Sequence, residues 1–159
     1  MSQSTIAKIE RGRISASYDT VVKLFETLDE IKQRGSKDIT AADVASKDVV
    51  SIQSSETVHQ ASETMRRTGY SQLPVLEGEM PVGSISERGI FEMLRQGYTM
   101  ERMKVTPVSK IMGESFPMVS DSTPMSSVTM LMSDSNAVLV SSKGKVVGLI
   151  TNADMLKLI

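Results

Sequence analysis

The sequence predicts an α+β protein in which two tandem β-α-β-β-α units follow an α-helical amino-terminal segment. Three observations predict this: a long internal repeat, apolar periods that switch between strand and helix spacing within each copy, and breaker clusters at matching places in both. Gly83, within Pro81-Val82-Gly83-Ser84-Ile85-Ser86-Glu87-Arg88-Gly89, recurs as Gly148 within Val146-Val147-Gly148-Leu149-Ile150-Thr151-Asn152-Ala153-Asp154, an offset of 148 − 83 = 65. Leu73-Pro74-Val75 falls at the same offset on Val138-Leu139-Val140. Upstream, Ala42 to Ser46 lines up with Ser109 to Gly113, and Ser54 to Thr57 with Ser120 to Thr123, after small shifts in register.

The elements follow in order. Residues 2 to 11 predict a helix with Ile6 and Ile9 on one side and Ser4, Ala7, Lys8 and Arg11 on the other; Gly12 stops it. Ser17 can cap a second helix that carries Val21, Leu24, Phe25, Leu28 and Ile31 at core spacing. Arg34-Gly35-Ser36-Lys37 marks a linker over residues 33–39. The two units then occupy 40–98 and 107–159. Each opens on a short apolar strand (Val49 to Ile52; Pro117 to Val119), followed by a Ser/Asp/Thr turn able to cap a helix. Val58, Ala61 and Met65 predict that helix in one copy, and Met125, Val128, Leu131 and Met132 in the other. Gly69 and the cluster Ser133 to Asn136 end these helices. A hairpin follows, Gln72 to Leu76 with Met80 to Ser86 and Ala137 to Ser141 with Lys145 to Thr151, and last helices at Arg88 to Gln96 and Asn152 to Ile159 close the units.

Composition narrows the function. With 159 residues and 40 % apolar side chains the chain can fill a core, and 18 basic against 19 acidic side chains leave no global attraction to nucleic acid or anionic membrane. Absence of cysteine removes disulfides, thiolate metal sites and cysteine nucleophiles, and fits a reducing cytoplasm. The polar amino terminus has no signal-peptide core, and no stretch is long enough to span a bilayer. His59 is the single histidine, so neither a histidine metal cluster nor a Ser-His-Asp set can be assembled. Neither a phosphate-loop motif nor a dinucleotide fingerprint occurs, and the twelve methionines read as core and interface filler. An enzyme is not expected.

Leu73-Pro74-Val75 before a glycine turn, and Gly148-Leu149-Ile150-Thr151-Asn152-Ala153-Asp154 in a duplicated frame, make residues 40–159 resemble a CBS-domain pair, or Bateman module. The resemblance implies two copies about a pseudo-twofold axis and a site for an adenosine-containing regulatory ligand such as AMP, ADP, ATP or S-adenosylmethionine. It assigns ligand binding to Thr151 and Asp154 in the second copy. Thr151, where strand gives way to helix, would meet a phosphate oxygen with its hydroxyl and the nearby N–H groups. Asp154 would accept both hydrogens of a ribose diol, since a carboxylate offers only acceptors. Met118, Val119, Val138 and Ile150 would wall the adenine ring. In the first copy Ser86 keeps the hydroxyl, but Gly89 replaces the aspartate; Arg88 beside it is a candidate phosphate contact. Helix capping alone is the other reading of Thr151 and Asp154.

Ser2 to Gly12 followed by Ser17 to Leu24 resembles the recognition helix and the next helix of phage-repressor and Cro-like DNA-binding domains, so that residues 1–32 form a partial helix-turn-helix. That resemblance assigns Gln3, Ser4 and Lys8 to the DNA edge. The two helices that precede the recognition helix in that family would lie upstream of Met1, and an amphipathic dimerisation appendage is the alternative. Together these readings imply a cytoplasmic homodimeric transcriptional regulator that senses an adenosine ligand. The alternatives are a CBS platform that only dimerises and a regulatory subunit for another protein.

Overall fold

The computed structural model describes residues 18–32 and 38–158. In chain order its elements are α1 (Tyr18–Lys32), α2 (Ala41–Val44), β1 (Ile52–Gln53), α3 (Val58–Thr68), β2 (Gln72–Glu77), β3 (Met80–Ser86), α4 (Glu87–Arg95), α5 (Met100–Met103), a 3-10 turn (Val108–Lys110), β4 (Met118–Ser120), α6 (Met125–Leu131), β5 (Ala137–Ser142), β6 (Lys145–Thr151) and α7 (Asn152–Leu156). They form two compact units: Val49–Phe116, and Pro117–Ile159 with the described residues up to Asp48. The expected mixed α+β duplication is present. The first predicted helix and the linker core, residues 2–11 and 33–37, lie outside the described residues, as do Gln3, Ser4 and Lys8.

Each unit holds a three-stranded sheet of the same topology. In the first, β1 runs parallel to β2 and β2 antiparallel to β3; in the second, β4, β5 and β6 repeat this. The registers agree to the residue. Leu73 faces Ile85 and Val138 faces Ile150, while both hairpins slip by one residue at Val75/Leu76 and Val140/Ser141, just past the pairs Val75–Gly83 and Val140–Gly148. A repeated bulge of this kind bends both hairpins alike.

β1 is shorter than the sequence predicts and starts later. Only Ile52 and Gln53 find partners, Val75 and Leu76, so Val49 to Ser51 have no ladder to join. The closing helices begin at Glu87 and Asn152, immediately after the N-caps Ser86 and Thr151.

In the first unit Val58, Ala61 and Met65 of α3 pack with Leu73, Val75, Ile85, Ile90 and Met93 in one core. The second core is built alike, from Met125, Val128, Met132, Val138, Val140, Ile150 and Met155, with Val21 and Phe25 of α1 and Ala41 and Val44 of α2 added to it. Of the predicted stripe of α1, Val21 and Phe25 therefore join the core of the second copy. Several methionines lie inside, as an unbranched, adaptable side chain allows.

The segment before each repeat does not pack on the sheet that follows it in sequence. Ala41 N–H donates to the Thr123 carbonyl (2.8 Å), Met125 N–H to that of Ile39 (3.1 Å), and Ser46 exchanges two backbone bonds with Leu149 (2.9 and 3.0 Å). In the first unit Val108 N–H donates to the Glu56 carbonyl (2.7 Å), Val58 N–H to that of Thr106 (2.9 Å), and Gly113 exchanges two bonds with Ser84 (2.9 and 3.1 Å). The exchange is reciprocal, and it satisfies backbone groups that short connecting strands would otherwise leave bare. Gly148 and Gly83 permit it. A Cβ at Gly148 would stand 2.7 Å from the Ala45 Cβ, and one at Gly83 would stand 2.8 Å from the Gly113 carbonyl oxygen.

Candidate functional site

The candidate site begins where β6 turns into α7. Thr151 is extended (φ −123°, ψ 171°), and the chain turns helical at Asn152. Its N–H and its hydroxyl both donate to Oδ2 of Asp154, at 2.9 and 3.0 Å. Oδ1 of Asp154 accepts from the Ser46 hydroxyl at 2.6 Å and from Lys157 Nζ at 2.9 Å. Asp154 is only 5 % exposed, in company with just Ser54 and Thr129 as buried polar side chains among the described residues. Burial pushes its carboxyl up, but the bonds from Ser46, Lys157 and Thr151 more than offset this and hold it below the ordinary aspartate range.

This geometry joins two distant stretches of sequence. Ser46 belongs to the segment that leads in from the amino-terminal side, and Asp154 to the closing helix, so one hydroxyl ties them across 108 positions. Ser46 and Lys157 are the site residues that sequence reasoning missed. A signal existed. Ser46 aligns with Gly113, and Asp154 with Gly89, so the unit that has the aspartate also has its hydroxyl partner, and the unit without it has glycine at both places.

At the matching turn of the first unit, Ser86 Oγ accepts from Gly89 N–H at 3.1 Å and caps α4, with no carboxylate present. Arg88 is exposed on the first turn of α4. The expected adenine wall is divided. Val138 and Ile150 are fully buried among the core side chains, with Val119 packed against them, whereas Met118 is 53 % exposed. Met118 and Val119 are neighbours on one strand and so point to opposite faces. The structure thus brings Thr151 to Asp154, places Val138 and Ile150 inside the core with the partly buried Val119 against it, and leaves Met118 apart. His59 lies beside Glu63 at 3.5 Å on α3, and among the described residues no group of three His, Cys, Asp or Glu side chains could hold a metal ion. No helix there is long and apolar enough to cross a membrane.

A duplicated three-stranded α+β unit with a polar strand-to-helix turn defines a class of small tandem modules. The chain belongs to the CBS domain family, which matches residues 41–96 and 108–159. It is 29 % identical over 120 residues to the A-adding tRNA nucleotidyltransferase of Geobacter sulfurreducens, and that match spans 74 % of this chain but only 13 % of the relative. Among solved structures, an acetoin utilization protein (AcuB) of Vibrio cholerae superposes with a TM-score of 0.67 at 18 % identity, over 77 % of this chain and 90 % of its own. The CBS domains of a transcriptional regulator from Streptococcus pneumoniae give 0.61 at 20 % identity, over 75 % and 98 %. CBSX2 in complex with AMP, a protein of Arabidopsis thaliana, gives 0.61 at 20 % identity, over 75 % and 94 %.

Proposed function

We propose that this chain is a ligand-sensing regulatory protein whose second copy binds an adenosine-containing nucleotide through Thr151 and Asp154. The observation that carries the reading is the buried Asp154 carboxylate, held beside Thr151 at the β6–α7 turn by the Ser46 hydroxyl. The AMP complex of CBSX2 supports the choice of ligand class through its shared fold. In this proposal the chain is a cytoplasmic homodimer, its role is regulatory and not catalytic, and in the full-length protein its amino-terminal segment, joined to the helices that complete the domain, acts on DNA through Gln3, Ser4 and Lys8. The support for DNA is the repressor-like run from Ser2 to Leu24, together with the CBS domains of a transcriptional regulator among the similar structures.

The physical consequence is an exchange. A carboxylate has about four lone-pair directions, and Asp154 already accepts from Ser46, Lys157 and twice from Thr151. A ribose diol must therefore replace the Ser46 hydroxyl and the Lys157 ammonium. That releases the Ser46 hydroxyl and removes one of the ties that hold the segment from Ile39 to Ser46, which keeps its backbone bonds to Leu149 and Thr123. A ligand that favours the freed arrangement shifts the population toward it, by no more than its differential affinity for the two arrangements.

The same satisfied carboxylate favours a second reading, a platform that dimerises without ligand or serves another protein as a regulatory subunit. Thermal melting separates the two. Under the first reading one of AMP, ADP, ATP or S-adenosylmethionine raises the melting temperature of the wild-type chain, and the same ligand leaves Asp154→Ala at its own baseline. A melt indifferent to all four selects the platform.

A further inference from the structure

The closing helices of the two copies are finished differently. α4 runs nine residues and closes its own end: Gly97 is left-handed (φ 91°), its N–H donates to the Leu94 carbonyl (3.1 Å), and the Tyr98 N–H donates to that of Met93 (3.0 Å). Tyr98 then packs against the core that holds Met93, which completes the closure. α7 runs five residues, and its C-cap Lys157 is right-handed (φ −70°, ψ −13°). The N–H groups of Lys157 and Leu158 reach only three residues back, at 3.2 Å each. A helix of this length is not stable by itself in water. It is nevertheless the helix that carries Asp154 and Lys157.

α1 supplies the missing support. Its fifteen residues pack on α7 and α6, and the buried Val21 and Phe25 share a core with Met155, against which Leu156 and Leu158 also lie. Asp19, Lys23 and Glu26, on the opposite face of α1, are exposed, so the helix is held by one stripe. The CBS domains span 41–96 and 108–159, and α1 lies outside both. We propose that α1 is a docked lid whose Val21 and Phe25 are positioning residues for the Asp154 turn: the carboxylate keeps Thr151, Ser46 and Lys157 around it only while α1 lies on α7. By linkage, a pull that lifts α1 weakens the site, and a ligand held by Asp154 favours the docked lid. That coupling rests on the proposed nucleotide site, whereas the positioning does not.

NMR of the full chain without nucleotide, following amide exchange and the titration of the Asp154 carboxyl, tests the positioning, with circular dichroism to confirm that each variant is folded. In Phe25→Ala the amides of residues 155–158 exchange about tenfold faster than in the wild type, while those of the β5–β6 hairpin keep their protection. The Asp154 carboxyl titrates closer to the ordinary aspartate range as its donors are lost. Val21→Ala, a smaller cut, moves both readouts in the same direction, Phe25→Leu restores most of each, and Lys23→Ala on the exposed face changes neither. Unchanged exchange and titration in both Phe25→Ala and Val21→Ala, or protection lost equally over α7 and the hairpin, overturns the positioning role and leaves α1 as cover for the core. Calorimetry with AMP, ADP, ATP and S-adenosylmethionine reads the coupling: the nucleotide that binds the wild type binds Phe25→Ala about tenfold more weakly. Equal affinity overturns the coupling alone, and a wild type that binds none of the four overturns the coupling together with the nucleotide site, while the exchange result still decides the positioning.

Discussion

The two copies carry the same sheet, the same bulge and the same reciprocal packing of a leading segment, yet their strand-to-helix turns differ in kind. In the second, Asp154 gathers Thr151, Lys157 and the distant Ser46 onto one buried carboxylate. In the first, Ser86 merely caps Gly89, and the Ser84 hydroxyl donates to the Glu114 carbonyl at 2.7 Å without reaching the turn. The shared frame depends on backbone pairing and small residues, which tolerate divergence elsewhere. The specialised turn depends on two polar side chains acting together, and glycine stands at both of these positions in the other copy.

The frame is the easiest part to break. Gly83→Ala and Gly148→Ala each place a Cβ within 2.8 Å of a neighbouring atom fixed to the backbone. Each is expected to cost about 1–3 kcal/mol, the range for overpacking, in denaturant unfolding. A neutral result at either position would show that the two copies are not held by the same close approach.

Asp154→Asn probes the turn. It keeps the volume but sets an amide among four donors, so it is expected to cost about 1–2 kcal/mol at neutral pH. Because the folded-state pKa of Asp154 is lowered, its ionisation contributes stability above the ordinary aspartate range, and that contribution is lost as pH falls through the folded value. The gap between wild type and Asp154→Asn should therefore close in acid. A gap that persists below the carboxylate range would assign the effect to packing alone.

Gly89→Asp has the smallest effect and the opposite sign. A Cβ there meets only the Ser86 Oγ at 3.5 Å, and the new carboxylate can reach the Ser86 N–H as Asp154 reaches that of Thr151. Removing a helical glycine and completing a cap should gain up to about 1 kcal/mol. A loss would mean that the first turn is built differently in its backbone.

The duplication and its hairpins were legible because Gly83 and Gly148 sit in matching apolar contexts, and a period shows in sequence whatever the chain does in space. The exchange of leading segments was not legible. Ala42 to Ser46 and Ser109 to Gly113 align equally well whichever sheet they join, so the repeat reveals its length and not its partners. The faces of β5 were also hidden: Ala137 to Val140 are all buried, leaving no alternation from which to tell the core side from the other. Val138 is therefore found in the core, and Ile150 pairs with it from β6. Ser46 was discoverable in principle, from its joint replacement with Asp154 between copies. It escaped because the tie spans the whole module and follows no local spacing.

The most direct test of the contrast between the copies is the calorimetric stoichiometry of the nucleotide that raises the melting temperature, measured on the wild-type chain and on Asp154→Ala. A difference between the turns predicts close to one ligand per chain and none in the variant; two per chain, or binding that survives without Asp154, would contradict it.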